Sequence, residues 1–517
     1  MKMRDFLRGA TTALTFAACL FGSTAHAHWL RAESTHFVVY GEGGEVGLRR
    51  AVQNLEEFDT LLRQLTGLNP PDDLQKPSIY LVNTHAELAV LSPGLSPLIA
   101  GYYFPSVEYV GAFALQGESS LGAQEILFHE YTHHFMFESS GATYPPWYVE
   151  GFAEYVQTAT FVQGRVTIGA PSRARTEDAL DGDWPPVETF LSMHHGHLSD
   201  RQELSFYAES WVATHYLFES SERTQQLRTY LRGLAHGADP IQSFQPAFGM
   251  SPDDFVRTLR TYIHRRIDVL STNEPAVDVS NVRITQLSPG ADALLLLDAR
   301  LRRGQIADAD RAPLADQVEQ IAAQFPTDAF AQHTHARALL LRGDYAGGRT
   351  LLQGMIAANA SDEEAYRLLG QSYLREAEAA STNQSTLARQ ARPFFVHAFS
   401  LKPDDVPTLY GYACTFPPGS AEFTNDVVNV LLRAHELAPQ VDEISVNTAS
   451  VLMLRGRYDE AVAILRPIAF SPHPSSFAHA AQSLLSEAEQ HAAANVHDTP
   501  GEPDTPTTPQ DSSPQPH

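Results

Sequence analysis

Apolar positions along the chain change their period several times, and each change marks an element. "THFVVYG" (Thr35 to Gly41) is a short β-branched and aromatic run that predicts a strand, and the apolar spacing from Leu48 to Leu65 predicts a helix. "PSIYLV" (Pro77 to Val82) predicts a second strand, and "GYYFPSVEYVGAFAL" (Gly101 to Leu115) a hairpin. From Ser119 the period is helical through Phe137 and stops at "SSG", where Gly141 is the expected terminator. Pro145 and Pro146 open the next helix, "YPPWYVEGFAEYVQTA". "GRVTIG" (Gly164 to Gly169) predicts a short strand, and Pro185 to Arg266 is mainly helical. A small mixed sheet followed by helices, ending near Leu270, predicts an α+β N-terminal unit.

Beyond about Ala291 the pattern becomes Ala- and Leu-rich and repeats itself. Ala336, Gly343, Tyr345 and Gly348 within Asp328 to Asp362 recur in spacing as Ala449, Gly456, Tyr458 and Ala461 within Val441 to Pro472. A degenerate unit with a long insertion lies between them. Small residues where two helices cross, Gly in the turn and a unit of ~34 residues resemble the tetratricopeptide repeat. That resemblance implies an all-α solenoid whose concave surface binds a protein partner or peptide. The last residues are dense in Pro, Thr, Ser and Asp without periodicity, as in disordered tails.

Composition narrows the setting. "MKMRDFLRGATTALTFAACLFGSTAHA" has a basic start, a short apolar run and an A-x-A ending at Ala27, the form of a secretory signal cut before His28. Lipidation at Cys19 is the rival reading of the same stretch. Cleavage leaves Cys414 as the one thiol, so no internal disulfide is expected in a periplasmic or secreted protein. No later segment reaches ~20 apolar residues, so no transmembrane segment is expected in the mature chain. A formal charge of −25 argues against nucleic acid as a partner.

The candidate chemistry lies in "EILFHEYTHHF" (Glu125 to Phe135). Residues four apart share a helix face, so His129 and His133 can present two imidazoles to one ion, while Glu130 stands about 100 degrees round, beside it. With 22 histidines in the chain, such a string arises by chance in roughly one chain in twenty, so the spacing alone decides little. A catalytic zinc needs a third protein ligand and an open position. Glu150 in "WYVEGFAEY", on the next predicted helix, is the strongest candidate. Helix geometry alone leaves an exchange with Glu154 open. His134, Glu125 and His215 read as bystanders, and the loop histidines His194, His195 and His197 as solvated.

"HEYTH" followed by "PPWYVEGFAEY" resembles the peptidase MA-like branch of the gluzincin clan of zinc peptidases, and "EGFA" resembles the zinc aminopeptidases related to leukotriene hydrolase. The likeness implies a zincin-like fold binding Zn2+ through His129, His133 and Glu150, with Glu130 as general base. Glu154 would then stand behind a histidine ligand and hold its other ring nitrogen. "FYAESWVATHYL" resembles a downstream helix of the same group and makes Tyr207 the candidate oxyanion donor. "VGAFAL" stands where zincins keep an exposed edge strand able to hold an extended peptide. "VGAFALQGES" has no Gly-x-Met-Glu-Asn stretch, so an endopeptidase is expected over an aminopeptidase. The expected division is a signal at 1–27, the zincin-like domain at 28–272, a linker at 273–290, repeats at 291–492 and a tail at 493–517. The alternative function is a non-catalytic scaffold or assembly protein of the cell envelope.

Overall fold

In chain order the protein begins with strands β1 (Leu30–Glu33) and β2 (Val38–Gly41), helix α1 (Glu45–Thr66), strand β3 (Ser78–Val82) and helix α2 (His85–Leu91). The hairpin β4 (Gly101–Pro105) and β5 (Val110–Leu115) leads into helices α3 (Ser120–Ser139) and α4 (Pro146–Val156). A second hairpin, β6 (Thr160–Val162) and β7 (Arg165–Ile168), precedes helices α5 (Val187–Leu191), α6 (Asp200–Phe218), α7 (Ser221–Ala235), α8 (Phe244–Phe248) and α9 (Pro252–Tyr262). This computed structural model describes residues 28–497 except 73, 96–100, 117–119, 140–143, 172–177, 181, 194–197 and 472–474. The expected signal with Cys19, Ser119, Gly141, the histidines at 194, 195 and 197 and the chain from 498 onward lie outside the described residues.

Period-two alternation divides the sheet into two faces. Ile79, Leu81, Ala112 and Ala114 point to one side, where they share a core with Val52, Leu55, Phe58 and Leu62 of α1 and Phe128 of α3. Tyr80, Val82 and Phe113 point to the other, against Leu88 and Leu91 of α2. Two more strands follow α9: β8 (Leu270–Asn273) pairs with β7, and β9 (Arg283–Gln286) pairs with β1. The main sheet therefore runs β4-β5-β3-β2-β1-β9, with β2, β3 and β5 parallel and the rest antiparallel.

Two expectations need correction. "VGAFAL" is β5, an interior strand paired on both sides; the outermost strand beside α3 is β4. A hairpin has two arms, and its first arm occupies the edge. The stretch 273–290 is also no linker, since β9 closes the far edge of the sheet and Ser288 caps the next helix. Ile284 is half-buried and the other residues of β9 are exposed, so the strand gives almost no apolar signal.

The C-terminal half is built of helices α10 (Pro289–Arg303), α11 (Asp308–Ala322), α12 (Ala329–Arg342), α13 (Tyr345–Ala358), α14 (Glu363–Ala379), α15 (Gln384–Leu401), α16 (Val406–Cys414), α17 (Asn425–Leu437), α18 (Asp442–Leu454), α19 (Tyr458–Ala469) and α20 (Ala478–His497). Successive helices pack as pairs. Gly343 and Gly456, which end the first helices of the two recurring units, hold φ of 85° and 72°, a region costly for residues with a Cβ. Ala336, Ala449 and Ala461 are fully buried where the helices cross. The last helix reaches His497, so the stretch expected as tail begins as helix.

The two halves share a surface rather than a tether. Leu295 and Ala299 of α10 pack among Trp29, Tyr80, Phe104 and Phe113 of the sheet. Val110 of β5 joins the core of α16 to α20, and the Gln75 backbone N–H donates to the Leu437 carbonyl at 3.0 Å. Glu108, in the β4–β5 turn, accepts from Arg367 on α14, whose Nη1 lies 2.9 and 3.1 Å from the two carboxylate oxygens.

Candidate metal centre and cleft

Helix α3 is enclosed along its middle, where Leu127, Phe128 and every residue from Tyr131 to Met136 are buried. Phe128 stacks on Phe58 of α1 at a centroid distance of 3.9 Å. One turn on, the Tyr131 hydroxyl donates to Asp59 Oδ1 at 2.8 Å, while Asp59 Oδ2 accepts from Arg63 Nε at 2.6 Å. These contacts fix the rotation of α3, and so the direction of His129 and His133. Helix α4 begins at Pro146, whose missing N–H costs nothing in the first turn. Every residue of α4 is buried. Gly151 lets it lie directly on α6, since a Cβ there would overlap the Ser210 carbonyl and the Thr214 hydroxyl.

These packings bring His129, His133 and Glu150 together. His129 Nε2 is 3.0 Å from His133 Nε2, and Glu150 Oε2 is 3.4 Å from the first and 3.6 Å from the second. Donors about 2.0–2.2 Å from a tetrahedral zinc stand roughly 3.3–3.6 Å apart, so both carboxylate spacings match, the imidazole pair is somewhat closer, and the two-imidazole, one-carboxylate chemistry fits that ion. The side chains of Glu150, His133 and His129 are 1%, 4% and 13% exposed. Burial opposes a charge on His129, yet the Glu150 hydrogen bond and the charges of Glu154, Glu150 and Glu130 raise its pKa. The site's field thus favours a cation.

Glu154 lies behind His129, with Oε1 3.9 Å from Nδ1. It is on the expected nitrogen but beyond hydrogen-bond length, and it accepts from Gln157 Nε2. Glu130 lines a cleft of about 550 Å³ together with His133, Phe137 and the edge-strand residues Tyr102, Tyr103 and Pro105. Tyr207 is not among the described residues lining that cleft. It sits half-buried on α6 beside Phe206, at a centroid distance of 6.3 Å. Two tyrosines do line the cleft, Tyr102 and Tyr103, and the Tyr103 hydroxyl is 2.8 Å from His134 Nδ1. His134 is therefore a tie between α3 and the edge strand. His215 packs as expected, 2.8 Å from the Tyr262 hydroxyl, and burial lowers its pKa.

The other side of the cleft comes from the C-terminal half: His435, Gln440, Asp442, Ile464, Pro467 and Ile468. Nothing in the sequence signals this wall, because it is formed by contacts across some three hundred residues of chain. A second group with metal-like spacing, His36, Glu56 and Asp59, is a structural network. Its carboxylates already bond His36, Arg63 and Tyr131.

No family model and no curated protein matches this chain. Among solved structures it is similar to the crystal structure of a thermophilic TPR protein of Thermus thermophilus, at 18% identity over 39% of this chain and 93% of that one. The TM-score is 0.28, so the stacked helix pairs stand on this chain's own packing.

Proposed function

We propose that the chain is an exported zinc metallopeptidase of gluzincin type, an endopeptidase whose helix-pair half is a tetratricopeptide-like domain that binds a protein partner. The convergence of His129, His133 and Glu150, with Glu130 on the adjoining cleft, carries this reading. A zinc ion bound there would acidify a water and polarise a substrate carbonyl. Glu130, on the adjoining cleft, would be the group to accept a proton and pass it to the leaving amine. Tyr131, Asp59 and Arg63 hold α3 so that both imidazoles stay aimed at one point. Edge strand β4 offers backbone groups to an extended peptide beside Glu130. No helix among the described residues is long and apolar enough to cross a membrane.

The scaffold reading draws on the stacked helix pairs that fill the C-terminal half. Zinc analysis with a peptide-library digest decides between the two. About one zinc per chain with cleavage supports the peptidase; cleavage-free protein on every peptide, with or without added zinc, supports the scaffold.

A further inference from the structure

We infer that the helix-pair half forms the specificity wall of the cleft, receiving an extended peptide whose apolar side chain packs on Ile464 and Ile468 and whose backbone amide donates to Gln440. The inference rests on the peptidase reading of the opposite wall, and it names the substrate class for that site.

Three observations carry it. Gln440 lines the cleft, is only 7% exposed, and its Oε1 has no hydrogen-bond partner among the described residues. A buried acceptor left unmade is costly, so a donor from a ligand satisfies it. On α19, Ala463, Ile464, Pro467 and Ile468 form one face towards the cleft. Pro467 has no N–H, so the Ala463 carbonyl lacks its usual helical donor at this point of α19. Facing them, β4 is paired only with β5 among the described strands, leaving its outer edge for another strand.

The chemistry of the lining selects the occupant. No Lys or Arg is among the described lining residues, while Glu130 and Asp442 are. His435 is 2.9 Å from the Ser445 hydroxyl, and burial lowers its pKa to about 4, so it is neutral at pH 7. An acidic peptide finds no counter-charge here, and an apolar or mildly basic one finds apolar surface and the Gln440 acceptor. About 550 Å³ is the size of a pocket for a short segment rather than a folded partner.

The test uses the mature full-length chain carrying Glu130→Gln, so that no probe is consumed, and fluorescent short peptides that differ at one guest position. Leu and Phe guests should bind at least about tenfold more tightly than Gly or Asp. Ile464→Glu should erase that preference. Gln440→Leu should weaken all guests alike by several-fold, and zinc content should stay unchanged in both. Binding indifferent to the guest and to both wall variants overturns the inference, even if wild-type protein cleaves peptides. Guest preference that Ile464→Glu erases, together with wild type that holds no zinc and cleaves no peptide, supports the wall and overturns the peptidase reading alone. Self-association blocked by Ile464→Glu, with no peptide bound, makes a second copy the occupant and overturns the inference. If Ile464→Glu fails to fold, Gln440→Leu decides.

Discussion

Replacing Glu108 by Gln should loosen the joint between the edge strand of the cleft and the helix-pair half. Burial opposes the Glu108 charge, but Arg367, Arg337 and Arg302 overcome it and hold the carboxyl at about 2 against an ordinary 4.5. By linkage that difference is worth roughly 3 kcal/mol at neutral pH. Removing one partner of a buried ion pair costs about 3–5 kcal/mol in general. Arg367 keeps Glu364 at 3.5 Å and Asp405 at 3.7 Å, which places this loss at the lower end. Two routes thus agree on roughly 3 kcal/mol. Because the folded pKa lies below the unfolded one, the contribution is complete above pH 4.5 and fades as pH falls towards 2. Urea denaturation of wild type and Glu108→Gln, from pH 8 down to pH 3, should show a constant gap above about 5 that narrows below 4.5. A gap under ~1 kcal/mol at pH 7, or one that stays constant to pH 3, refutes the reasoning.

Gly151→Ala should lower the denaturation midpoint by the equivalent of about 1–3 kcal/mol, since the added methyl meets the Ser210 backbone; an unchanged midpoint would show that α4 and α6 can separate cheaply. His129→Ala should reduce bound zinc to a trace by elemental analysis while the chain stays folded by circular dichroism. Tyr103→Phe removes the hydroxyl beside His134, and a loss of about 1 kcal/mol is expected in the same denaturation assay.

The histidine pair was legible because i,i+4 spacing is a local property of any helix, and α3 is one. The place of Glu150 depended on a motif, and its physical content appears only in three dimensions: the glycine after it seats α4 on α6. Tyr207 followed from likeness alone, and it is not among the described residues that line the cleft. Strands β1 and β9 were missed because four-residue strands with few apolar positions leave no period to read. The repeat units were visible in Gly343 and Gly456, whose turns are local. Their position was not, because Gln440 and Ile464 meet Tyr103 and Glu130 only through long-range closure.

Zinc content and peptide cleavage measured on the same preparations of wild type and Glu130→Gln test the central claim most directly. The account predicts about one zinc per chain in both, cleavage by wild type, and none above background by the variant. Zinc-free wild type, or cleavage by Glu130→Gln at the wild-type rate, would contradict it.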